Sequence, residues 1–187
     1  MSLAWDHGWY RATRRCVSPN FDVRPPGIAV SLVVVHSISL PPGEYGGNAI
    51  EQLFSNRLDA AAHPYFARLR DLRVSAHFVI RRDGTLLQFV SCAKRAWHAG
   101  VSTWNGRAGC NDFSVGIELE GLEGSTFETA QYERLATTLQ ALAERYPIRA
   151  VVGHEHVAPG RKHDPGAGFD WARLRQLSSL PRVDFAT

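Results

Sequence analysis

The sequence predicts an α/β fold in which a mixed central β-sheet is flanked by helices, in a single domain over residues 1–187. Two β-branched runs, IAVSLVVV at 28–35 and IRAVVG at 148–153, are too short for helices of their own and read as buried strands. In DFSVGIELEG, Phe113, Val115, Ile117 and Leu119 face one way and Ser114, Gly116, Glu118 and Glu120 the other, the period of two that marks a strand. Between these strands, STFETAQYERLATTLQALAERYP repeats Tyr132, Leu135, Ala136, Leu139, Leu142, Ala143 and Tyr146 at helical spacing.

The elements follow in chain order. Pro/Gly clusters at 25–27 and 41–47 set loops on either side of the first strand, which is expected to stop at His36. A short helix is expected at 48–58. The stretch SAHFVIRRDGTLLQFV predicts a hairpin over 75–90 that turns at Asp83-Gly84. The loop KRAWHAGVSTWNGRAGCND carries two tryptophans, His98 and several glycines, a composition suited to a groove that stacks on a sugar or peptide. For the long helix, Ser125 and Glu128 are the capping-box candidates and Pro147 the stop. A Pro/Gly-rich loop at 159–168 leads to the helix in FDWARLRQLSSL, with Asp170 as N-cap.

With 44% hydrophobic and 21% charged residues, the chain has the composition of a folded globular protein. A net charge of +3 without a basic cluster predicts no nucleic-acid partner, and no obligate protein partner is indicated. Asp6 and two tryptophans interrupt the N-terminal stretch where a secretory signal needs an unbroken apolar core, and no later run reaches the length of a membrane span. The expected location is therefore the cytoplasm, with no membrane partner. Cys16, Cys92 and Cys110 lack C-x-x-C spacing and read as free thiols.

Two buried strands lead directly into histidines, His36 and His154, and strand ends are where side chains of such sheets converge on ligands. Asp164 follows in a loop long enough to fold back. Two imidazoles and a carboxylate form an open zinc set, with His156 and His163 as rival ligands on spacing alone. Glu118 lies within an apolar strand, where burial would raise its pKa into the range of a general acid or base; Glu120, beside Gly121, reads as a wet-face residue. Lys162 is one of two lysines against nineteen arginines, and a compact ammonium near a metal suits an oxyanion.

The segments HSISLPPGEYGG, HPYFARLRDLRVSAHFVIRRDG, KRAWHAG, CNDFSVGIELEG, AQY and APGRKHDPGAGFDW, within a motif-bearing core of about 16–175, resemble successive motifs of the zinc-dependent N-acetylmuramoyl-L-alanine amidases of type 2. The resemblance is greatest to the cytoplasmic members acting on 1,6-anhydro-muramyl peptides. WHAG and GIELEG alone would indicate only the wider superfamily, which includes peptidoglycan recognition proteins. The resemblance implies one Zn2+ per chain on His36, His154 and Asp164, catalysis by Glu118 and Lys162, and a groove for anhydro-muropeptide lined by Ser37, Arg73, Trp97 and His98. It implies hydrolysis of the amide between 1,6-anhydro-N-acetylmuramic acid and L-alanine of the stem peptide in peptidoglycan recycling, with an indirect influence on β-lactamase induction.

Ser37 departs from the asparagine usual in the family, Gly109 from a basic residue and His163 from a threonine. These departures bear on substrate affinity and stem-peptide preference. Two other functions share the motifs: a non-catalytic muropeptide-binding module, and a phage-type or secreted amidase acting on intact peptidoglycan. The complete zinc set with Glu118 argues against the first; the second would need an export route or a wall-binding domain.

Overall fold

The computed structural model describes residues 4–187. Its main sheet is built from β1 (Arg14–Arg15), β2 (Leu32–Ile38), β3 (Phe78–Ile80), β4 (Leu86–Gln88), β5 (Ser114–Glu120), β6 (Ala150–Gly153) and β7 (Asp184–Phe185), in the spatial order β7-β6-β2-β5-β3-β4-β1. The five strands from β7 to β3 are parallel; β4 returns antiparallel to β3, and β1 runs parallel to β4. The sheet is thus mixed, as the sequence predicts. Its helices are α1 (Ala49–Phe54), α2 (Pro64–Ala67), α3 (Thr129–Arg145), α4 (His154–Val157) and α5 (Trp171–Ser178).

A sheet covered on both faces explains why β2 reads as a continuous apolar run. Val33 and Val35 join Val115, Ile117 and Leu119 in the core beneath α3, into which the helix sends Tyr132, Leu135, Leu139 and Leu142. The opposite face carries two separate clusters. One contains Ile50, Leu53 and Phe54 of α1 with Phe66, Val79 and Leu87. The other contains Leu32, Val34 and Val152 with Ala99, Cys110, Phe113 and Val157. The gap between these two clusters opens the floor of the sheet to a cleft.

Several boundaries differ from expectation: α1, expected over 48–58, ends at Phe54 with Ser55 N–H on Glu51 O. β2 starts at Leu32 because residues 28–31 approach through a turn, in which Ile28 N–H donates to Pro25 O. It continues past His36 to Ile38 because β5 supplies partners that far, pairing Glu118 with His36 and Glu120 with Ile38. α3 is entered at Glu128, whose N–H donates to Gln131 Oε1 at 3.0 Å, and Ser125 instead belongs to the preceding turn through its N–H to Leu122 O. The hairpin forms as predicted: Gly84 takes φ +82°, a conformation glycine adopts without strain, and Asp83 Oδ1 accepts from Thr85 N–H. Asp170 caps α5 by accepting from Arg173 N–H at 2.9 Å.

Candidate active site

Strand register lines up the chemistry. His36 lies opposite Glu118 of β5, and on its other side β6 ends with Gly153 opposite Val35, so the next residue, His154, emerges beside His36. Asp164 reaches the same place from the loop after α4, which folds back as Lys162 N–H donates to Ala158 O and Glu155 N–H to Asp164 O. His36, His154 and Asp164 are 2%, 4% and 7% exposed. Each offers one ligand atom to a cluster in which all three atoms lie within 4.8 Å of one another. His36 Nδ1 is 3.0 Å from His154 Nδ1 and 3.1 Å from Asp164 Oδ2, and His154 Nδ1 is 3.2 Å from that oxygen.

Hydrogen bonding identifies these atoms as electron-pair donors. His154 Nε2 is 3.2 Å from Ala99 O, and a carbonyl only accepts, so the proton of a neutral His154 sits on Nε2 and its Nδ1 is a bare lone pair. Burial pulls the His36 imidazole down to about 4, leaving it neutral at pH 7. Burial alone would raise the Asp164 carboxyl, but the two imidazoles beside it outweigh burial and hold the group well below the usual carboxylate range. Buried lone pairs converging around a carboxylate fit a cation, and two neutral imidazoles with one carboxylate are the donor set of an open zinc site.

Glu118 lies beside this cluster. Burial, followed by the charge of Asp164, pushes its carboxyl well above the usual value, with Lys162 pulling the other way. Its Oε2 is buried without a hydrogen-bond partner, and so is Ser37 Oγ. Both residues line a cavity of about 350 Å³ shared with His36, His98, Trp97, His154, Lys162 and Asp164. Leu53, Phe54, Tyr65, Leu69 and Leu72 add apolar surface to the lining of the cavity. Unsatisfied buried polar atoms in a cleft are groups prepared for a ligand or a proton.

The structure brings together His36, Ser37, Trp97, His98, Glu118, His154, Lys162 and Asp164. Arg73 is exposed at the end of α2's following turn, its Nη1 donating to Arg70 O and Leu72 O, and it does not line the cavity. The rival ligands are placed elsewhere. The strand ends at Gly153, so residues 154 and 156 lie on a helical turn and do not share a face; His156 Nδ1 accepts from Gly153 N–H instead. His163 is exposed. Glu120 is not on a wet face: it is 2% exposed and accepts from Arg81 Nη1 at 2.6 Å and from Gly46 N–H at 2.8 Å. The cysteines are free, as expected.

Sequence reasoning missed the groups behind the histidines, namely the Ala99 carbonyl, Asn111 and Ser114. Asn111 Oδ1 accepts from the N–H groups of both His98 and Ala99, a contact across 12 and 13 residues that leaves no periodic trace. Gly116 did leave a signal, because a glycine inside a strand marks close approach. A Cβ there would lie 2.4 Å from His98 Cγ.

A parallel-centred sheet bearing a buried His-His-Asp cluster, a carboxyl whose pKa burial raises beside it and a cleft above has the donor set and acid/base group of a hydrolase site able to hold a metal ion. The N-acetylmuramoyl-L-alanine amidase family matches residues 26–167, and the chain belongs to that family. It is 55% identical over 174 residues to the 1,6-anhydro-N-acetylmuramyl-L-alanine amidase AmpD of Citrobacter freundii, covering 92% of this chain and 93% of the relative. Among solved structures, the crystal structure of a selenomethionine derivative of AmpD superposes with a TM-score of 0.90 at 53% identity, covering 94% of this chain and 99% of that one. The amidase AmiD from E. coli, solved with the substrate anhydro-N-acetylmuramic acid-L-Ala-D-γ-Glu-L-Lys, superposes at 0.60 with 28% identity over 82% of this chain and 60% of AmiD. No helix among the described residues is long and apolar enough to cross a membrane.

Proposed function

We propose that this chain hydrolyses the amide between 1,6-anhydro-N-acetylmuramic acid and L-alanine of the stem peptide, with one zinc ion held by His36, His154 and Asp164, in the cytoplasmic recycling of peptidoglycan. The observation that carries the proposal is the juxtaposition of three buried donor atoms with the unpartnered carboxyl of Glu118 in one cleft. The similarity to AmpD over most of both chains supports the anhydro substrate. In hosts with inducible β-lactamase, such turnover would lower the level of inducing muropeptides.

Zinc held by His36, His154 and Asp164 would supply Lewis acidity toward the scissile carbonyl and toward water. Glu118 accepts a proton from the attacking water as the C–O bond forms, then delivers it to the alanine nitrogen as the C–N bond breaks; the second water proton passes from the new lactyl carboxyl to the amine, leaving a carboxylate and an ammonium. Burial raises its pKa, which makes the carboxylate a stronger base toward the water proton. Lys162 places a positive charge at the same cleft, where negative charge develops on the carbonyl oxygen. Ser37 Oγ, buried and unpartnered, and the Trp97 ring meet the substrate, while the apolar lining from α1 and α2 disfavours water in that part of the cavity.

The test incubates zinc-quantified protein with anhydro-muropeptide and with intact sacculi and measures released peptide by mass spectrometry. Cleavage of the anhydro-muropeptide is expected; no cleavage of either substrate would sink the enzymatic reading, and preference for sacculi would favour a wall-degrading amidase. Asp164→Ala is expected to lose bound zinc by metal analysis. Retention of stoichiometric zinc in that variant would remove Asp164 from the ligand set.

A further inference from the structure

We infer that His98 is a positioning residue of the metal centre, holding the His36 ring so that Nδ1 faces His154 and Asp164, while the carbonyl of the next residue, Ala99, does the same for His154. The inference rests on the zinc reading of the His-His-Asp cluster and deepens it.

The hydrogen-bond directions follow from the donor atoms. Ligation through Nδ1 leaves the proton of His36 on Nε2. That nitrogen lies 3.0 Å from His98 Nδ1, which therefore accepts. The remaining proton of His98 sits on Nε2, 3.2 Å from Ser114 Oγ. A single consistent chain then runs from the ligand cluster through His36 and His98 to the hydroxyl at the start of β5. His154 is held in parallel by Ala99 O at 3.2 Å. Two consecutive residues thus set both histidine ligands, and partners that fix a ligating imidazole in this way strengthen metal binding.

The segment is built to keep this geometry. Asn111 Oδ1 accepts from His98 N–H at 3.2 Å and from Ala99 N–H at 2.8 Å, clamping the backbone. Gly116 leaves the space that the His98 ring fills against β5, since a Cβ there would meet His98 Cγ at 2.4 Å and Nδ1 at 2.6 Å. Arg161 Nη2 donates to Ala99 O at 2.8 Å and to Val101 O at 2.6 Å, pinning the carbonyl that also serves His154. Both ring nitrogens of His98 are used inside the protein. The residue borders the cleft, yet its hydrogen-bonding capacity is directed at the ligand behind it.

The test measures zinc dissociation constants by chelator competition, together with the thermal midpoint of each zinc-free protein. His98→Leu keeps bulk but cannot accept from His36, and zinc affinity is expected to fall by about 10- to 100-fold. His98→Asn can place its amide oxygen near the position of Nδ1, and it is expected to recover most of that loss. Ser114→Ala, which releases the far end of the chain, is expected to weaken zinc binding by several-fold. In cobalt-loaded protein, the visible ligand-field bands are expected to shift in His98→Leu and to return toward wild type in His98→Asn. Wild-type affinity in His98→Leu, or failure of His98→Asn to bind zinc more tightly than His98→Leu at matched zinc-free stability, overturns the inference. If His98→Leu does not fold, wild-type affinity in Ser114→Ala overturns it. Absence of zinc binding by the wild-type protein would instead remove the metal reading on which it rests.

Discussion

Glu118 combines a structural cost with a chemical use. One oxygen of its carboxyl is buried without a partner, and its folded pKa lies well above the ordinary value of 4.5. The folded protein therefore keeps this proton to a higher pH than the unfolded chain does. Stability falls as pH rises from about 4.5 to the folded pKa, and the loss persists above it. Replacing Glu118 with Gln removes this cost: in the zinc-free protein at pH 7 the thermal midpoint is expected to rise by about 3–6 °C, a difference that shrinks toward pH 4. Calorimetry at the two pH values checks this, and an equal midpoint at pH 7 would contradict the burial of an ionised carboxylate. The same variant is expected to retain zinc and lose about 10²- to 10⁴-fold in kcat. In the wild type, the acidic limb of the kcat/KM profile is expected above the ordinary carboxylate range. Glu118 could be singled out in the sequence because a charged residue stood in an alternating apolar strand. Glu120 could not be read correctly by that logic, since its partner Arg81 comes from another strand's turn, 39 residues away.

At the scale of elements, Glu120 joins the end of β5 to the loop that crosses the cleft. It accepts from Gly46 N–H and from Arg81, which also pairs with Glu51 of α1. Ser39, Leu40 and Pro42 of the same connection line the cavity. Glu120→Ala is expected to cost about 2–3 kcal/mol in denaturant unfolding, because it leaves Arg81 partly unpaired and frees the loop. A raised KM with smaller change in kcat would show that the loop serves binding. Gly116→Ala presses a methyl into the His98 ring and is expected to weaken zinc binding as well as stability. The long elements were legible because burial on one face imposes a period, as in α3 and β5. The four-residue helix α2 and the true cap of α3 were not, since a single turn has no period and the Ser125–Glu128 capping-box pattern does not reveal that the chain turns at 122–125 and enters the helix only at Glu128. The pairing of His36 with His154 was legible from strand ends; setting His156 aside required knowing that the strand gives way to a helical turn after Gly153.

For the whole molecule, zinc on the proposed ligands would join the middle of the sheet to the loop carrying Asp164. Binding to the native state alone adds about 2.7 kcal/mol at a free zinc concentration 100-fold above Kd, so chelation is expected to lower the thermal midpoint and zinc to restore it. A midpoint insensitive to zinc would mean that the native chain binds it no more tightly than the unfolded chain does. His36 stands 118 residues from His154 and 128 from Asp164 along the chain. Its neighbours in the sheet are joined by parallel pairing, which needs crossover connections and comes slowly. The donor atoms therefore meet only after most of the polypeptide has found its place. A cation that arrives so late has no hand in the folding rate and acts on the way out: in a chevron experiment zinc should leave the refolding arm where it is and depress the unfolding arm, making the loaded enzyme long-lived.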